Sequence, residues 1–165
     1  MKENICTIPI NDVFAPKCGC PMCRMEAMLE KNYVEYITGA AMMEPDIRTD
    51  TNNMGFCYTH FNMMVHHGKR LPNALILDTH LDKLMTELIP KEVKGKPDKK
   101  KLAKLEEIQH SCYVCNKMDW GMKHLMETIF KTWEKEEEFR QLYAQQPYIC
   151  MKHYTMLMKA AMNKG

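Results

Sequence analysis

Cys20-Pro21-Met22-Cys23 is answered by Cys57-Tyr58-Thr59-His60, and Cys112-Tyr113-Val114-Cys115 is answered by Cys150-Met151-Lys152-His153. The stretches between the paired motifs, 24–56 and 116–149, differ in length by one residue. Two cysteines three apart can turn both sulfurs towards one ion. A cysteine and a histidine three apart on the first turn of a helix share a face, so sulfur and ring nitrogen can converge. The partial positive charge of a helix N-terminus favours thiolate over thiol there. The pattern predicts two Cys3His sites, Cys20/Cys23/Cys57/His60 and Cys112/Cys115/Cys150/His153, each stapling its own half of the chain.

Zinc is the expected ion, because Cys3His is a common tetrahedral set for structural Zn2+. Iron, as a single ion or a cluster, is the alternative that thiolates also suit. Four protein ligands leave no open position for water, so neither site is expected to be catalytic. Cys18 lies two residues before Cys20 and competes with it as a ligand, but the C-x2-C spacing around Pro21 favours Cys20/Cys23.

A chain of 165 residues can hold one compact domain or two small halves. It is 45% hydrophobic and 27% charged, a globular composition. It carries no apolar run of the roughly 20 residues that a membrane span needs. The N-terminus lacks the apolar core of a signal peptide. A cytoplasmic, reducing location follows as the expectation, and there paired cysteines point to metal before disulfides. The formal charge is +2. Six thiolates and two divalent ions would bring the loaded protein close to neutrality, so charge makes no case for nucleic acid or membrane.

Helical spacing of apolar residues predicts an all-α protein with six or seven helices, and no alternating β-branched run predicts a strand. Residues 1–19 read as an extended lead-in that packs Ile5, Ile8, Ile10, Val13 and Phe14 on the body. Residues 20–90 read as the first zinc-binding unit. In it a helix over 24–43 ends near Pro45, 44–55 forms a polar loop, and a second helix covers 57–67. A third helix, capped by Asn73, presents Leu77, Leu81, Leu84, Met85 and Leu88 as its apolar stripe. Residues 91–101 form a charged linker. Residues 102–165 read as the second zinc-binding unit, with helices over 102–110, 116–133, 135–144 and 149–163. Gly55-Phe56-Cys57 aligns with Tyr148-Ile149-Cys150, and Arg48 and Arg140 precede the two motifs at nearly equal distances. The two halves therefore read as a pseudo-duplication. The 17 methionines read as adaptable core fillers.

Three functions are consistent with these residues. The first is a non-enzymatic scaffold with two structural zinc ions, acting through contacts with another protein or as a homo-oligomer. The second is a thiol-based redox or metal sensor. The third is an enzyme with a site in the cleft between the halves, around His80 and Asp78. Glu107-Ile108-Gln109-His110 matches half of a di-iron motif, but its second copy is missing. No nucleotide-binding or hydrolase fingerprint is present.

The chain resembles an uncharacterised bacterial family of unknown function with duplicated C-x2-C…C-x2-H units. The resemblance rests on both C-x2-C motifs, Met43-Glu44-Pro45-Asp46, Gly55-Phe56-Cys57-Tyr58-Thr59-His60-Phe61, Asn73-Ala74-Leu75-Ile76-Leu77-Asp78-Thr79-His80-Leu81 and Ile149-Cys150-Met151-Lys152-His153. It implies an intracellular, helical, metal-binding protein and brings no activity. Tyr148-Ile149 departs from the Gly-Phe that the resemblance leads one to expect before the second C-x2-H.

Overall fold

The computed structural model describes residues 7–89, 96 and 98–163. Among these there are nine α-helices and no strand: α1 (Ile8–Phe14), α2 (Pro21–Ile37), α3 (Pro45–Met54), α4 (Tyr58–His66), α5 (Arg70–Glu87), α6 (Lys99–Gln109), α7 (Tyr113–Lys135), α8 (Glu137–Ala144) and α9 (Met151–Met162). A short 3-10 turn, Ala40–Met43, follows α2. The all-α class is as the sequence predicts. The placement of Ile5 and Cys6, and most of the 91–101 linker, lie outside the described residues.

Three prolines explain where the helices depart from the sequence reading. A proline is tolerated in the first turn of a helix, where its missing N–H would have no partner anyway. Pro9 sits in the first turn of α1, so residues 8–14 of the expected extended lead-in are helical. Pro45 opens α3 instead of closing the helix before it, which turns the expected 44–55 loop into ten residues of helix. Pro72 is the third residue of α5. Asn73 is therefore inside that helix and is not its cap; its buried amide donates to the Met64 carbonyl at 2.7 Å.

The chain divides into two compact units, a terminal one of residues 1–30 with 118–165 and a central one of residues 31–117. The boundaries fall within α2 and α7, not in the 91–101 segment.

The terminal unit has a continuous apolar core. Phe14, Met22, Met25, Met126, Ile129 and Phe139 are among its buried members. Phe14 meets Phe139 edge-on at 5.2 Å between centroids and stacks on Tyr143 at 5.7 Å. Arg24 Nε donates to the Val13 carbonyl at 2.8 Å and Gln146 Nε2 to that of Phe14 at 2.9 Å, which fixes the C-terminal end of α1.

The central unit buries Val34, Ile37, Met42, Met64 and Ile76, and polar ties join its helices. α3 packs on α5 and on the 3-10 turn, and α4 packs on α5. Arg48 Nη2 donates to the Leu75 carbonyl at 2.7 Å, and Thr79 Oγ1 to Asn52 Oδ1 at 2.9 Å. Within α5 only Asn73 and Ile76 are buried. Two members of its expected core stripe, Leu81 and Met85, are 51% and 64% exposed.

Candidate metal centres

The eight ligand residues come together in two groups of four, but the pairing is crossed. Cys20 and Cys23 meet Cys150 and His153 in the terminal unit, while Cys57 and His60 meet Cys112 and Cys115 in the central unit. The expected pairing within each half is corrected: each C-x2-C is completed by the C-x2-H motif of the other half. Each motif supplies only two corners of a tetrahedron, and either partner could supply the rest. Chain topology decides, because the described residues 7–30 and 118–163 belong to one compact unit.

All four motifs are built alike. Cys20, Cys57, Cys112 and Cys150 each stand immediately before the first residue of a helix, α2, α4, α7 and α9 respectively. Cys23, His60, Cys115 and His153 then occupy the third helical position. Cys57 and Cys150 take nearly the same extended backbone, with φ −69°, ψ 163° and φ −66°, ψ 156°. Their carbonyls accept from Phe61 N at 2.9 Å and Tyr154 N at 2.8 Å. Each site is thus formed where two helix N-termini converge, and both bring partial positive charge to the sulfurs.

In the central site, His60 Nδ1 lies 3.2 Å from Cys57 Sγ and 3.3 Å from both Cys112 Sγ and Cys115 Sγ. Cys57 Sγ and Cys115 Sγ are 3.9 Å apart. In the terminal site, His153 Nδ1 lies 3.2 Å from Cys150 Sγ, 3.3 Å from Cys23 Sγ and 3.8 Å from Cys20 Sγ. Cys23 Sγ and Cys150 Sγ are 3.7 Å apart. One ring nitrogen has one lone pair or one proton, so it cannot hydrogen-bond three thiols at once. A central ion at about 2.0–2.3 Å from each donor would set them roughly 3.5–3.8 Å apart. Both quartets come within a few tenths of an ångström of that spacing, and each could hold a metal ion.

The electrostatics fit the same chemistry. Loss of water, the sulfurs of Cys150 and Cys20 and the charge they would carry push the Cys23 thiol up to about 12. Burial and the neighbouring Cys112 and Cys57 do the same for Cys115, also to about 12. Burial raises the Cys20 thiol too, but hydrogen bonds from the backbone of Cys150 and Cys23, with others, leave it below its ordinary value. Crowded sulfurs therefore resist full ionisation until a cation is placed among them. Burial lowers the pKa of His153 and keeps the ring neutral, the form that binds metal.

The remaining candidates lie apart from these groups. Cys18 is exposed, and its sulfur accepts from Arg24 Nη1 at 3.5 Å; it joins neither quartet. His80 Nδ1 lies 3.0 Å from the Asn52 carbonyl, and its ring lies against Gly55. Asp78 is exposed. A groove in the terminal unit, lined by Phe130, Trp133, Tyr143, Tyr154 and Met158, is apolar and contains none of the eight ligands. What the sequence reading missed was the carboxylate beside the terminal site. Glu26 Oε2 lies 3.4 Å from His153 Nε2, and Lys152 Nζ pairs with the same carboxylate at 2.5 and 2.8 Å. Its spacing from Cys20 and Cys23, at i+6 and i+3, was the available signal.

No helix of the described residues is long and apolar enough to cross a membrane. No curated protein and no solved structure matches the chain. Its whole length, residues 1–165, does match one protein family, and with the two Cys/His quartets on that match the chain belongs to DUF6062, a family of unknown function.

Proposed function

We propose that this protein is a zinc-bound helical scaffold of a reducing, cytoplasmic compartment, acting through protein contacts, with both zinc ions structural. The observation that carries the reading is the convergence of one histidine nitrogen and three sulfurs, twice, within 4.8 Å. A tetrahedral ion in either quartet has only protein ligands, so it holds helix ends together and offers no position to a substrate. The exposed α5 face supports the second part. Leu71, Leu75 and Met85 lie on one side of that helix, open to solvent, with Asp78 and Asp82 between them, and exposed Ile89 follows just past its end. Such a stripe is a feature of interaction surfaces. Elemental analysis with native mass spectrometry is expected to give two zinc ions per chain. Iron, or fewer than two ions in protein purified without chelator, overturns the assignment.

One observation favours the sensor reading as the runner-up. Cys23 is an exposed ligand, open to oxidants. Sub-stoichiometric peroxide that expels one zinc within seconds, reversibly on adding thiol, would select the sensor. Inert thiols select the scaffold.

A further inference from the structure

Resting on the metal-bound reading of the terminal site, we propose that Glu26 is the positioning residue for the ligand His153, and that Lys152 holds Glu26 in place. His153 is fully buried. Its Nδ1 faces three sulfurs, so the ring proton belongs on Nε2 when Nδ1 binds a cation. That Nε2 is buried and has no hydrogen-bond partner. A buried N–H left unpaired loses its hydration with nothing in return, so this atom needs an acceptor. The Glu26 carboxylate at 3.4 Å is in place to serve.

The carboxylate is itself anchored, although it comes from a segment far away in sequence. Lys152, next to His153 on α9, pairs with Glu26 on α2 across 126 positions. The charges are partly offset. A divalent ion with three thiolates carries one net negative charge, Glu26 adds a second, and Lys152 cancels one, which leaves the assembly at −1. A carboxylate behind a metal-bound imidazole fixes the ring's tautomer and orientation and makes the nitrogen a stronger ligand. The central site is built otherwise: Met118 stands six residues after Cys112, where Glu26 stands six after Cys20, and Thr59 precedes His60 where Lys152 precedes His153.

The test is chelator competition on full-length protein loaded with zinc, and on Co2+-substituted protein followed by its visible bands. Wild type, Glu26→Gln, Glu26→Ala and Lys152→Met are compared. Glu26→Ala is expected to speed release of one of the two ions by at least roughly 10-fold, leaving the other unchanged. Glu26→Gln, which keeps an acceptor without the charge, should fall between that variant and wild type. Lys152→Met, with Glu26 intact, should have a smaller effect. The His153 Nε2 proton should show a hydrogen-bonded, slowly exchanging NMR signal in wild type and lose it in Glu26→Ala. Release of both ions at wild-type rates from Glu26→Ala overturns the proposal. So does a Lys152→Met effect as large as that of Glu26→Ala, because it makes the ion pair's contribution to folding the cause. Wild type that fails to bind two ions refutes the zinc reading itself, a separate result.

Discussion

The terminal and central units place the same four donors in nearly the same geometry, but they support them differently. The terminal site joins residues 127 to 133 positions apart, and the central one joins residues 52 to 58 apart. In the central unit the segments at and just before the two motifs are tied through backbone carbonyls: Tyr113 N donates to the Gly55 carbonyl at 3.0 Å, and the Ser111 side-chain Oγ to that of Met54 at 2.6 Å. The terminal unit has no equivalent of the first bond, because Pro21 stands where Tyr113 does and carries no N–H. There the two motifs are held by the aromatic and methionine core and by the Glu26–Lys152 pair. The difference teaches that the ligand pattern sets the coordination geometry, while each unit closes its own site with whatever packing its chain segments provide.

The largest expected effect comes from breaking the crossed pairing. A structural zinc ion contributes on the order of 10 kcal/mol or more. The double variant Cys20→Ser/Cys150→Ser should therefore lose one ion and keep the central unit folded. Cys20→Ser/Cys57→Ser should lose both ions, since it disables both quartets. Native mass spectrometry with hydrogen exchange reads both outcomes. If Cys20→Ser/Cys57→Ser retains one ion and Cys20→Ser/Cys150→Ser retains none, the motifs pair within halves and the comparison drawn above collapses.

That test also marks how far the sequence could be read. The eight donors were legible because each motif is local: i and i+3 at a helix start is chemistry that four residues can display. The partner of each motif was not legible. It depends on which distant segments share a core, and neither spacing nor composition records that. α4, α8 and α9 were legible within a residue or two because apolar spacing and stop signals agreed. α1 and α3 were not: 1–19 shows little periodicity and Pro45 reads as a stop, whereas Pro9 and Pro45 each sit where a helix begins. α3 also buries only Thr51, so its sequence looks like a loop. Glu26 gave no apolar signal at all, and its role emerged only when α9 was brought beside α2.

A smaller effect should separate the two kinds of support. Phe14 is fully buried between Phe139 and Tyr143. Phe14→Ala should cost about 3–5 kcal/mol. The loss should appear as faster exchange in 7–30 and 118–163, and as a lower midpoint of tryptophan fluorescence, since Trp120 and Trp133 both belong to the terminal unit. Equal loss of protection across 31–89 would show that the units do not stand on separate cores.

Gly55 and Tyr148 occupy matching positions before the two C-x2-H motifs, and they sharpen the contrast further. Gly55 has φ 62°, and a Cβ there would lie 2.9 Å from His80 Nε2. Gly55→Ala should destabilise the central unit by about 1–3 kcal/mol through strain and displacement of His80. Tyr148→Ala, at an exposed position with ordinary backbone, should change stability by roughly 0.5 kcal/mol or less. Chemical denaturation of both variants, followed by circular dichroism, checks the pair. A tolerant Gly55 would mean that the tie between Tyr113 and the Gly55 carbonyl is not what shapes the central site.

The smallest effect concerns Tyr113, whose hydroxyl is buried without a hydrogen-bond partner. Burial first, and then the charges of Tyr36, Asp50 and Tyr33, push its phenol from 10.0 up to about 12. An acid whose folded pKa is raised adds stability that is fully present below its ordinary pKa and is lost as pH rises through the raised one. The central unit should therefore weaken between about pH 10 and 12, by way of this residue. Tyr113→Phe removes both the unpaired hydroxyl and the ionisation. It keeps the ring that Phe56 meets edge-on at 6.4 Å and that Lys117 covers at 5.3 Å. The variant should gain up to about 1 kcal/mol at neutral pH, because relieving an unpaired buried hydroxyl is favourable. It should also unfold at a higher pH than wild type, as read by hydrogen exchange in the central unit. If Tyr113→Phe is instead less stable at neutral pH, the hydroxyl has a partner, and the central site is held by one more polar tie than the terminal one.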